Sequence, residues 1–222
     1  MAGAPGPRID YYDWAGGREM MLCFGPESGP RVMAALPLFE EGNRTRAALV
    51  DVLRQLAARG IGAALADLPG TGESPIETKD AALQTWRDAF AAACRHVRDP
   101  VHICAWRSGA LVDGDADAAS RWYLSPQTGE GLVRELTRVR ALAGSADVAG
   151  NIVSDEMFAA LASAQPMTSG PLRVVRLDSD TKAADRKLAG RALWRGSEPS
   201  TDAALQSLVA DDLFAWIKAQ PG

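Results

Sequence analysis

Short apolar runs at residues 32–36, 61–67, 101–105 and Leu172–Leu177 alternate with stretches whose apolar residues recur every three or four positions. A run of that length without polar alternation reads as a strand covered on both faces, and the spacing between runs reads as amphipathic helix. Parallel strands need a crossover, and a crossover helix covers one face of the sheet. The alternation therefore predicts an α/β fold: a mostly parallel sheet with helices on both sides. Residues 8–14 and 18–24 flank Ala15-Gly16-Gly17 and read as an antiparallel hairpin at one edge. Further strands are expected at 121–124 and 192–195.

The helices follow from their stripes. Leu49, Val52, Leu53 and Leu56 form one, with Asn43 or Thr45 as cap and Gly60 as stop. Leu83, Trp86, Phe90, Cys94 and Val97 form a second. A third runs over 129–142 with Leu132, Leu136, Val139 and Leu142 inward. A last one starts near Ser200 or Thr201 and buries Leu205, Val209, Leu213 and Trp216. Residues 144–170 fit no strand and are expected to form a small helical lid or insertion within a single domain spanning 1–222.

Composition narrows the function classes. The formal net charge of −4 gives no general attraction to phosphate backbones, which argues against a nucleic-acid partner. No apolar stretch approaches membrane-spanning length, and Met1 to Pro7 do not read as a signal peptide, so a cytoplasmic protein is expected. Cys23, Cys94 and Cys104 show no metal-ligand spacing and read as small buried hydrophobes in a reducing compartment. With two histidines in the chain, neither a metal site built on His and Cys nor any cofactor is expected.

In a sheet of this kind ligands bind at the carboxyl ends of the strands, so the loops after strands carry the functional signal. Asp67-Leu68-Pro69-Gly70-Thr71-Gly72-Glu73-Ser74 reverses the chain sharply, with Asp67 and Ser74 placed to tie it internally. After the run 101–105 comes Ala105-Trp106-Arg107-Ser108-Gly109, a tight turn flanked by small residues. Both loops resemble those of the α/β-hydrolase superfamily, the first its D-x-x-G-x-G-x-S loop and the second its G-x-S-x-G elbow. The resemblance puts Arg107 where the nucleophile stands, since Trp106 is too large to flank the apex in the register that would centre Ser108.

Leu36-Pro37-Leu38-Phe39-Glu40-Glu41-Gly42-Asn43-Arg44-Thr45-Arg46 is similar to a loop of the exosortase-associated hydrolases. That subgroup's elbow reads G-L-R-x-G-A, which Ala105 to Ala110 resembles with Ala in place of the first Gly. Leu193-Trp194-Arg195-Gly196-Ser197-Glu198-Pro199 also looks like that group. The resemblance runs from Val32 to the C-terminus and implies a hydrolase-family member linked to protein-sorting and exopolysaccharide systems.

A serine triad in this fold implies the chain order nucleophile, acid, histidine. Asp178 or Asp180 occupies the acid position, although each could instead cap a helix near Thr181. His96 and His102 both precede the elbow, and the last loop supplies Glu198 rather than histidine. Arginine is no nucleophile. A guanidinium at the apex needs a carboxylate, which Glu40, Glu41 or Glu198 could supply. That pair would either hold the loops together or leave a guanidinium edge for an anion.

Two functions follow. One is a hydrolase-family member with a degraded triad that binds a small-molecule ligand or a protein partner through Phe39, Glu40, Glu41, Arg107 and Glu198. The other is an active ester hydrolase or acyltransferase with an unusual site, Ser108 as nucleophile with a Glu or Asp as its base, and with Asp180 a catalytic residue of that site.

Overall fold

A computed structural model of the chain describes residues 6–97, 101–143, 147–148 and 151–221. β1 (Arg8–Trp14) and β2 (Gly17–Phe24) form the expected hairpin, followed by β3 (Arg31–Ala35), α1 (Glu40–Ala58) and β4 (Gly62–Ala66). α2 (Leu83–Val97), β5 (Val101–Trp106), β6 (Ser120–Leu124) and α3 (Gly129–Ala143) come next. The two-residue strands β7 (Asp147–Val148) and β8 (Asn151–Ile152) pair with each other, and α4 (Asp155–Ser163) follows them. β9 (Leu172–Leu177), β10 (Arg186–Leu188) and α5 (Ala203–Lys218) close the described chain.

The main sheet runs in the order β1-β2-β4-β3-β5-β6-β9-β10. β2 is antiparallel to both β1 and β4, and all other pairings are parallel. Side chains alternate across it, as strand geometry requires. Val32, Ala34, Ala63, Leu65, Cys104, Trp106, Trp122 and Leu124 face one side, where the Leu49–Leu56 stripe of α1 and Leu205, Val209 and Leu213 of α5 cover them. Met33, Ala35, Ala64, Ala66, Ile103, Ala105 and Tyr123 face the other, against Trp86 and Phe90 of α2, Leu132 and Leu136 of α3, and Met157 and Leu161 of α4. Both faces are buried, which explains why the central strands read as unbroken apolar runs.

Several expectations are corrected. Residues 192–195 are no strand: Leu193–Arg195 form a single 3₁₀ turn, with Leu193 and Trp194 buried in the cluster of α1 and α5. The last strand is β10, whose Arg-Lys-Leu carries no apolar run. α1 begins at Glu40, before Asn43 and Thr45, and its N-cap Phe39 makes no side-chain cap bond. α5 is capped by Asp202, which accepts the Leu205 amide at 3.1 Å. No helix starts near Thr181; the chain between β9 and β10 is a turn. Val139 is 38% exposed and Trp216 half-buried rather than inward, and the side chain of Leu142 lies outside the described residues.

Polar anchors fasten the layers. Asp212 of α5 accepts Trp122 Nε1 at 2.8 Å, Arg173 Nε and Nη2 at 2.8 and 2.9 Å, and Arg186 Nη1 at 2.7 Å, so one carboxylate joins α5 to β6, β9 and β10. Beneath the other face Arg121 donates to Asp113 at 2.9 Å, both residues being buried.

Candidate functional site

The carboxyl ends of β3, β4, β5, β6, β9 and β10 lie along one edge, and their loops meet there. The loop after β4 is held by its own side chains. Asp67 accepts the Glu73 amide at 3.1 Å and both Nη atoms of Arg46 at 3.1 Å, while Ser74 Oγ accepts the Gly70 amide at 2.9 Å. Gly72 sits at φ 54°, where a Cβ would meet the Asp67 carboxyl at 2.3 Å, so the turn excludes any side chain.

At the end of β5, Arg107 adopts φ 53°, a left-handed conformation unusual outside glycine. Its carbonyl accepts the Gln127 amide at 3.3 Å. The chain then makes one 3₁₀ turn, Arg107–Leu111, before looping to β6. The strand-to-helix elbow that the resemblance implies is thus shortened to a strand followed by a single tight turn. Gly109 is needed because a Cβ there would lie 2.5 Å from the Leu36 carbonyl and 2.7 Å from that of Ala35. Gly109→Ala is expected to cost about 2 kcal/mol by overpacking against backbone that cannot yield. A urea transition matching wild type would show that the elbow has room to move.

The side chain of Arg107 is 14% exposed, and its Nε and Nη2 both meet carboxylates. Nε donates to Glu41 Oε2 at 3.1 Å and Nη2 to Glu41 Oε1 at 3.3 Å, a bidentate pair. Nη2 also faces both oxygens of Glu135 of α3 at 3.4 and 3.5 Å, and the guanidinium carbon lies 5.1 Å from the centre of the Trp194 ring. Burial raises the Glu41 carboxyl above its ordinary value, and the adjacent Arg107 charge offsets only part of that. Of the three carboxylates considered as partners, Glu41 alone reaches Arg107. Glu40 turns to Arg44 at 3.5 Å, and Glu198 is exposed. Phe39, at φ 60°, points its ring to Trp86 with centroids 5.6 Å apart.

Ser108 is buried, and its Oγ accepts the Leu38 amide at 2.9 Å. Asp180 accepts Arg176 Nη1 at 2.8 Å and the Lys182 amide at 3.0 Å. Burial alone would raise its carboxyl, but those two donors outweigh it and hold it below the ordinary carboxylate value. His102, at the start of β5, lies 2.9 Å from Ser120 Oγ, and burial lowers its basicity. His96 lies 3.1 Å from Asp10 of β1. Both histidines are occupied away from the elbow. Glu135 and Trp194 join the site without a local signal in the sequence: Trp194 lies in the stretch Leu193–Pro199 that resembles the hydrolase subgroup, and nothing local to Glu135 distinguishes it from other helical glutamates.

Two clefts border the elbow. One of about 400 Å³ lies between the loops after β3 and β4, floored by Trp86 and Phe90. The other, about 370 Å³, lies above Arg107 and is walled by the loops after β6, β9 and β10 and by the first turns of α3. Among the described residues no group of three His, Cys, Asp or Glu side chains could hold a metal ion, and no helix is long and apolar enough to cross a membrane.

The solved structures most informative for this arrangement cover nearly the whole chain. Est1E from Butyrivibrio proteoclasticus, solved with ferulic acid, superposes with a TM-score of 0.62 at 15% identity, over 95% of this chain and 98% of its own. An α/β serine hydrolase without lid from Xanthomonas campestris gives 0.60 at 15% identity, over 97% of each chain. The chain has the α/β-hydrolase fold. Against the epoxide hydrolase VrEH1 from Vigna radiata it spans 40% of that protein's length, with a TM-score of 0.45. No family model and no curated protein matches the sequence. The α/β-hydrolase fold accounts for the strand order, the antiparallel edge and the placing of the elbow after β5; at such low identity it carries no activity.

Proposed function

We propose that this α/β-hydrolase-fold protein binds a small-molecule ligand over its elbow and performs no acyl transfer through a serine. The observation that carries the reading is Arg107 itself: at the apex of the turn, at φ 53°, clamped by Glu41 at 3.1 Å. A guanidinium cannot attack a carbonyl, because it keeps its proton throughout the accessible pH range. Ser108 offers no ready substitute. Its hydroxyl is buried and accepts the Leu38 amide, and no histidine follows it in the sequence to act as base. A degraded triad of this kind, with Arg at the apex, also supports the subgroup resemblance to the exosortase-associated hydrolases, and we place the protein's action in the cytoplasm.

A serine-directed fluorophosphonate and short-chain aryl esters test the proposal on wild type and Ser108→Ala. Neither protein is expected to be labelled or to turn over ester. Labelling or turnover in wild type that Ser108→Ala abolishes would overturn the reading in favour of an active hydrolase.

A further inference from the structure

We propose that the cleft above Arg107 is an oxyanion site whose ligand is a small molecule bearing a carboxylate or phosphate group. This rests on the ligand-binding reading above and adds the ligand's chemistry to it. Six basic and two acidic side chains line the cleft, the reverse of the chain's net charge of −4. Part of that positive charge is neutralised within the protein. Arg107 has Glu41, Arg134 has Glu130 at 2.7 Å, and Arg176 has Asp180 at 2.8 Å. Arg138, Lys182 and Arg195 remain: all three are exposed, line the cleft, and have no carboxylate partner among the described residues. Lys182 and Arg195 face the same opening as Arg107 from the loops after β9 and β10, and Arg138 faces it from α3.

Glu135 marks where the anion sits. The two carboxylates on Arg107 are held unequally. Glu41 is 16% exposed with a bidentate hold, whereas Glu135 is 48% exposed and meets only Nη2, at 3.4 Å or beyond. Distances that long give a weak bond, and a half-exposed helical side chain can rotate into water. A ligand oxyanion would replace Glu135 on Nη2 while Glu41 keeps the guanidinium in place, with Lys182 and Arg195 closing over it. A planar guanidinium fixed on one side and open on the other suits recognition of such a group.

Ser125 supports the assignment independently. It lines the same cleft, is buried, stands at φ 47°, and its Oγ meets no hydrogen-bond partner among the described residues. A strained serine with an unspent hydroxyl is a donor waiting for an acceptor. The volume of about 370 Å³ falls in the range of small-molecule sites.

The test uses inorganic phosphate and malonate as probes, titrated at constant ionic strength set with chloride. Binding is read by calorimetry and by the thermal unfolding midpoint. Wild type is expected to bind saturably. Glu135→Gln, which removes the competing charge, is expected to tighten binding about fivefold. Lys182→Ala combined with Arg195→Ala alters only exposed side chains and is expected to weaken it about tenfold. No saturable binding in either wild type or Glu135→Gln overturns the proposal, as does binding that neither set of substitutions changes. The outcome is independent of the fluorophosphonate experiment. Absent labelling with absent anion binding rejects the ligand class alone, whereas Ser108-dependent labelling rejects the ligand-binding reading itself.

Discussion

Replacing Arg107 with methionine is expected to destabilise the protein by about 3 kcal/mol, because it leaves the Glu41 carboxylate buried without its partner. The loss belongs to the orphaned charge more than to the missing bond. Glu41 is already raised by burial with Arg107 in place, so without Arg107 it is raised further. A carboxyl whose folded pKa lies above its unfolded one costs stability at high pH. That cost is relieved as pH falls through the raised value towards the ordinary 4.5. The gap between wild type and Arg107→Met should therefore be widest near pH 7.5 and narrow on approach to pH 5. Glu41→Gln in the Arg107→Met background should recover most of the loss, while Glu41→Gln alone costs about 1 kcal/mol, since Glu135 still faces the guanidinium. Urea unfolding of the four proteins at both pH values measures the cycle. Additive effects with no pH dependence would show that Arg107 and Glu41 are adjacent without being coupled.

Asp212→Ala is expected to cost about 3 kcal/mol for a different reason. It strips the acceptor from three donors at once: the buried Trp122 indole and the Arg173 and Arg186 guanidiniums. Both arginines can turn partly to water, but Trp122 cannot. Burial by itself would raise the Asp212 carboxyl; Arg173, Trp122 and Arg186 together hold it below 3.8. A depressed folded value means that the carboxylate's contribution is complete above pH 4 and is lost as the pH falls below it. The difference between wild type and Asp212→Asn should accordingly stay constant from pH 8 to 5 and shrink only below pH 4. Thermal unfolding across that range gives the curve; a difference that shrinks near neutrality would assign the effect to another group.

What the sequence disclosed and what it hid divide along physical lines. The central strands were legible because both faces are buried and every residue in β4, β5 and β6 had to be chosen for burial. β10 was not, since it is a three-residue edge strand of Arg, Lys and Leu with only the leucine buried. Residues 192–195 look strand-like by composition, but their apolar residues serve a turn packed under α1, where the Trp194 carbonyl accepts from Arg44 at 3.3 Å. The start of α1 was hidden for want of the usual capping chemistry: Phe39 ends the loop by backbone conformation alone. At the elbow, small flanking residues pointed to Arg107 and the acidic pair Glu40-Glu41 to a partner. Which of the two glutamates faces inward is decided by the rotation of a helix whose first two residues they are. Glu135 comes from α3, two elements later in the chain, and no local pattern connects it to the elbow.

Three non-glycine residues among those described have positive φ: Phe39, Arg107 and Ser125. They follow β3, β5 and β6, strands that lie side by side in the sheet, so all three stand on one stretch of the molecule's rim. Each such conformation costs on the order of 1–3 kcal/mol, sustained by the rigid sheet beneath. The fold's tolerance for discomfort is thus concentrated where the loops converge and is absent from the strands themselves. Glycine or asparagine would relieve that strain cheaply at Ser125, whose hydroxyl has no partner among the described residues, but at Arg107 the same exchange would strand Glu41 and lose more than it gained.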